Sequence, residues 1–63
     1  MTKARRMTDK ERENMVSYAK EASNESLLKS FAYYVARAEK DMFDYEACEI
    51  RDIFKKELLR RLG

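Results

Sequence analysis

Lys29, Tyr33, Arg37 and Lys40 recur at helical spacing, so on a helix they form one strip. A tyrosine with a cation one turn away on either side can bind an acidic protein surface. It can also bind a nucleic-acid backbone, with the ring stacking on a base. A second candidate seam is Tyr45, Cys48 and Leu59, an apolar line that suits a dimer or partner contact. A third is the set of cations at the two ends, Lys3, Arg5, Arg6, Lys55, Lys56, Arg60 and Arg61, which could grip phosphates. Each has a plainer reading: an exposed tyrosine among solubilising charges, scattered apolar exposure, and end charges that balance acidic turns.

Residues able to carry catalysis are scarce. The chain has no histidine, one glycine and no proline, and it shows no P-loop, nucleophile elbow or glycine-rich turn. The carboxylate pairs Glu46 with Glu49 and Glu49 with Asp52 arise readily in a chain that is 41% charged. No catalytic, metal or cofactor residue is assigned, and no cofactor is expected. Cys48 is the only cysteine, so a disulfide within the chain is excluded and a cysteine-based zinc site is not expected. Its thiol reads as a small apolar contact.

The elements that must position the strip and the seam are helices. Strand turns generally call for glycine, proline or Asn-Gly pairs, and the only glycine is Gly63. The spacing predicts an all-α three-helix bundle over about 9–22, 25–42 and 45–62, running up-down-up. Residues 1–7 are expected as a flexible basic arm and 8–63 as a single helical domain. Thr8 and Glu11 form a capping box that starts the first helix, whose apolar side is Met15, Tyr18, Ala19 and Ala22, with Val16 at its edge. Ser23 or Asn24 caps the second. Its apolar residues Leu27, Leu28, Phe31, Ala32, Tyr34, Val35, Ala36, Ala38 and Met42 cover an arc of roughly 200°, wide enough for two neighbours, which predicts a central position. Phe31, Val35 and Ala38 are expected inside, with Tyr34 at the rim. Asp44 caps the third helix, whose apolar face is Ala47, Ile50, Ile53, Phe54, Leu58 and Leu62; Glu57–Arg61 and Asp52–Lys56 are favourable i,i+4 pairs.

The join at Met42–Asp44 carries no helix breaker. The apolar arcs before and after it are about 110° out of phase on one cylinder, so a turn there lets both face one core. The alternative is a short helix plus one long helix that dimerises. A chain of 63 residues buries only about 60% of its unfolded surface, and small domains without disulfides or metals rely on packing or self-association.

Charge is uneven. Residues 1–12 carry five basic and two acidic side chains, residues 13–54 five and nine, and residues 55–63 four and one. In an up-down-up bundle the basic arm falls beside the acidic turn of Glu39, Asp41, Asp44 and Glu46, and the basic tail falls near Glu21 and Glu25. The longest apolar run, FAYYVA, is far short of a membrane span, and MTKARRMTDK lacks the apolar core of a secretory signal, so a cytoplasmic location is expected.

Small size, no site chemistry and leftover aromatic positions together suggest a non-enzymatic helical interaction module. Its role would be to regulate or inhibit a larger protein, in the manner of small accessory proteins of phages or mobile elements, though no motif carries a family resemblance. The expected partner is another protein, with a homodimer as a further candidate. The alternatives are a small DNA- or RNA-binding protein using its basic helix faces, and a structural homo-oligomer.

Overall fold

In the computed structural model, described over residues 6–63, three helices follow one another: α1 (Asp9–Glu21), α2 (Asn24–Lys40) and α3 (Tyr45–Leu62). Lys3, Arg5 and the rest of residues 1–5 lie outside the described residues. The bundle is all-α, and α3 packs against both other helices. Side-chain links fix the directions. Arg12 reaches Glu49 at one end and Arg61 reaches the last turn of α1 at the other, so α1 and α3 run parallel. Arg37 to Asp44 and Arg61 to Asn24 set α2 antiparallel to α3, giving the up-down-up order.

The caps do the local work. Thr8 and Glu11 form the capping box, with the Glu11 amide donating to Thr8 Oγ1 at 3.1 Å and the Thr8 amide to Glu11 Oε1 at 2.9 Å. Between α1 and α2 the chain turns on Ala22 and Ser23, both extended, and the Ser23 hydroxyl accepts from the Ser26 amide. The second turn, 41–44, closes with the Phe43 amide donating to Asp41 Oδ1 and the Asp44 amide to the Asp41 carbonyl, both at 3.0 Å. Asp44 then caps α3 through the Ala47 amide. None of these turns uses positive φ, so neither needs glycine. The two-residue and four-residue links break the chain into separate helices, and α2 and α3 are not continuous.

The core centres on Phe54 and Leu27, both fully buried, with Met7, Ala19, Ile50, Ala38 and Ala47. Met15, Ala22, Phe31, Tyr34, Ile53 and Leu58 pack against it, partly buried. Several expectations need correcting. The central helix is α3, not α2, because α3 carries buried positions toward both neighbours. The wide apolar arc of α2 therefore has an uncovered flank, and Leu28 is 55% exposed. Phe31 and Val35 are only half-buried, whereas Ala38 is inside. Leu62 is exposed because it is the last helical residue, and Met42 because it sits in the turn. Met7, expected at the end of a flexible arm, is 6% exposed and packs in the core. Its side chain covers the open end beside Ile50, a role no helical period can signal.

Arg61 ties the far end together. Its guanidinium donates to Glu57 Oε2 at 2.9 Å, to Asn24 Oδ1 at 2.7 Å and to the carbonyls of Ala19, Lys20 and Ala22 at 2.9, 3.2 and 2.7 Å. Those carbonyls belong to the end of α1, where helical acceptors lack partners. A cation from α3 thus satisfies the C-terminus of α1 and neutralises its dipole. The basic tail lies near Glu21 and Glu25 as expected, with Arg61 reaching Lys20, Ala22 and Asn24; it takes backbone carbonyls there rather than those two carboxylates, and Glu25 pairs with Lys29. Glu57 is buried at 6% exposure and held by both Arg60 and Arg61. The hydrogen bonds from Arg60 first, then Arg61, hold its carboxyl down at about 2.

Candidate functional site

The predicted strip on α2 is present, and the structure divides its members. Tyr33 is 57% exposed. Its ring meets Tyr34 edge-on, with centroids 5.0 Å apart at 83°. Tyr34 in turn packs edge-on to buried Phe54 at 5.8 Å, and Phe54 meets Tyr18 at 5.9 Å. A line of rings therefore runs from the core to the surface, ending at Tyr33. Edge-to-face geometry is the favourable one for such rings.

Arg37 locks the outer end of that line. Its guanidinium carbon lies 5.8 Å from the Tyr33 centroid and 5.5 Å from that of Tyr34. The same group forks onto Asp44 Oδ2 at 2.7 and 3.2 Å. Asp44 is thus both the N-cap of α3 and the anchor of Arg37. The Ala47 amide, and then Arg37, hold its carboxyl below the usual range. Arg37 is raised in turn, by Asp44 above all. The Arg37–Asp44 pair spans the 41–44 turn, and helical spacing alone could not reveal it. Arg37 was expected as a free partner-facing cation; it is a clasp that fixes the two tyrosines and the turn.

The other members of the strip are less constrained. Lys29 pairs loosely with Glu25 at 3.6 Å, and Lys40 is exposed with no ion pair among the described residues. Beside the platform, the turn presents Phe43 at 64% exposure and Met42 at 72%. Sequence reasoning did not assign Phe43 to a site. The signal was there: an aromatic in a four-residue turn has no helix face through which to reach the core.

The residues of the second seam, Tyr45, Cys48 and Leu59, all lie on α3. Tyr45 is exposed and carries Arg6 over its ring at 5.5 Å. That puts one cation of the basic arm at the start of α3, on the acidic-turn side where the arm was expected. Cys48 is a half-buried free thiol. Leu59 is exposed and lines a shallow depression with Ile53, Lys55 and Lys56.

Among the end cations, Arg60 and Arg61 are committed to Glu57, which leaves Lys55 and Lys56 exposed. Of the carboxylates, Glu49 is held by Arg12 at 2.8 Å and Asp52 by Arg51 at 3.1 Å, in place of the expected Asp52–Lys56 pair. Among the described residues no three His, Cys, Asp or Glu side chains converge as a metal site. Among the described residues no helix is long and apolar enough to cross a membrane.

Comparison with protein-family models, with curated proteins and with solved structures finds no match to this chain.

Proposed function

We propose that this chain is a non-enzymatic interaction module of the cytoplasm that regulates or inhibits a larger protein. It would bind that protein through Tyr33 and the neighbouring 41–44 turn. The observation that carries this reading is the preorganised Tyr33 platform: a half-exposed ring held by Tyr34 and Arg37, with Arg37 itself clamped to Asp44. Fixing an aromatic before binding lowers the entropy cost of association, and tyrosine and arginine are the residue types that most often dominate interfaces. Phe43 and Met42 extend the same end of the molecule with adaptable apolar contact.

The test places a photo-crosslinking residue at Tyr33, at Phe43 or, as a control, at exposed Lys10 on α1, in the native host. The expected outcome is one adduct of the same mass from positions 33 and 43 and none from position 10. Equal labelling from all three positions, or no adduct at 33 and 43, defeats the reading. With the partner purified, Tyr33→Ala is expected to weaken the complex at least tenfold while costing at most about 1 kcal/mol of folding stability, the worth of one exposed ring pair. If Tyr33→Ala unfolds the protein, the ring belongs to the core and the platform is not a binding surface.

A further inference from the structure

The face made by α1 and α3 alone is a different surface, and α2 contributes no residue to it. Its floor is apolar: Val16, Ala19 and Ile53 line one groove between the two parallel helices, with Leu59 exposed at its edge. Val16 and Ile53 are each half-buried, so part of each side chain is open on this face.

Charge along this face is polarised. Toward the start of the two helices stand Asp9, Glu13, Glu49 and Asp52, with Arg12 bridging Glu49 and Asp9. Toward their ends stand Lys20, Lys56 and Arg60, the last paired with Glu57, which lines the same groove, so the surplus positive charge there is that of Lys20 and Lys56. Lys20, Lys56 and Glu13 make no ion pair among the described residues. The face is therefore acidic at one end, apolar in the middle and basic at the other. Val16 and Ile53 sit near the midpoint.

We infer that this face joins a second copy of the chain in an antiparallel, two-fold dimer. A two-fold axis across the helices near Val16 and Ile53 brings the basic end of each copy onto the acidic end of the other, and apolar floor onto apolar floor. A two-fold interface must be self-complementary, and an acidic-apolar-basic gradient is self-complementary only in the antiparallel arrangement. Lys20 then faces Glu13 of the second copy, and both gain the partner they lack within one chain. The face is small. The 13 residues of α1 span about 20 Å, and two adjacent helices are about 20 Å wide, so each copy buries less than the roughly 800 Å² of a standard interface. The dimer is correspondingly weak and concentration-dependent. Neither Tyr33 nor Phe43 lines this groove, so the inference stands independently of the partner-binding reading.

Sedimentation equilibrium across a dilution series tests it, with two double variants. Lys20→Glu/Lys56→Glu makes the face acidic at both ends; Glu13→Lys/Asp52→Lys makes it basic at both ends. The wild type is expected to pass from dimer to monomer on dilution. Each variant alone is expected to dissociate at least tenfold more readily, and their equimolar mixture to restore a dimer containing one copy of each. Restoration excludes misfolding as the cause of the loss. A wild type that stays monomeric at the highest concentration reached overturns the inference. So does a mixture that stays monomeric, or a variant that self-associates like the wild type.

Discussion

Arg61 is the sharpest single probe of how this bundle holds together, and replacing it with methionine keeps the aliphatic bulk while removing five donated hydrogen bonds. The bonds to Asn24 and to the Lys20 carbonyl are exposed, so water replaces them at little cost. The bonds to the Ala19 and Ala22 carbonyls are partly buried, and discounting the roughly 1.5–3 kcal/mol of a charged hydrogen bond for that partial exposure leaves about 1–1.5 kcal/mol each. Losing both removes about 2–3 kcal/mol, and leaving buried Glu57 with Arg60 alone adds to the loss in the same direction. A domain this small holds only about 3–5 kcal/mol in all, so the variant is expected near its unfolding midpoint at room temperature. In heat unfolding the same loss lowers Tm by about 10–20 °C. Urea unfolding followed by circular dichroism gives the stability difference, and native-state hydrogen exchange locates it: amides in the last turn of α1 lose protection first. Arg61→Lys is expected to recover less than half, because one ammonium cannot reach the spread of carbonyls that the guanidinium spans. An Arg61→Met protein within about 0.5 kcal/mol of wild type, the range of ordinary surface changes, would refute the claim that Arg61 secures the end of α1.

Two further outcomes follow from burial and charge. Phe54→Ala is expected to cost about 3–5 kcal/mol and to unfold the chain, whereas Phe31→Ala, at a half-buried site, costs clearly less; equal losses in urea titration would place both rings in the core. The carboxyls of Glu57 and Asp44 are held below their ordinary values of 4.5 and 3.8, so the native state binds fewer protons than the unfolded state. Their stabilisation is fully present above about pH 5 and is lost as pH falls through 4.5 toward 2. Urea midpoints measured stepwise across that window should fall for wild type and fall less steeply for Glu57→Gln; an unchanged slope in Glu57→Gln refutes the assignment of that acid sensitivity to Glu57.

Much of the fold was legible because its determinants are local. The Thr8–Glu11 box, the Asp44 cap and the Glu57–Arg61 spacing all act within one helical turn, so their positions in the string settle them, whereas the choice of Ser23 over Asn24 as the cap of α2 is made by the folded chain. The phase shift between the arcs of α2 and α3 located the turn, since a single straight helix cannot face both arcs to one core. The candidate site was half legible. Tyr33 points outward as its helical phase requires, but the phase of Arg37 was equally outward, and it ends on Asp44 across the turn.

Composition and period alone determined the all-α class and favoured three helices over a long second one, because helix propensity, caps and 3.6-residue spacing are properties of neighbours in the chain; the 41–44 turn of the folded chain decides for three. The tertiary structure decided which helix is central, where Met7 packs, which cations are committed and which faces are left open. Those depend on contacts between residues far apart in sequence: Arg12 with Glu49, Arg61 with the end of α1, Val16 beside Ile53. A long arginine can reach any of several acceptors, and only the packed arrangement of the helices selects among them.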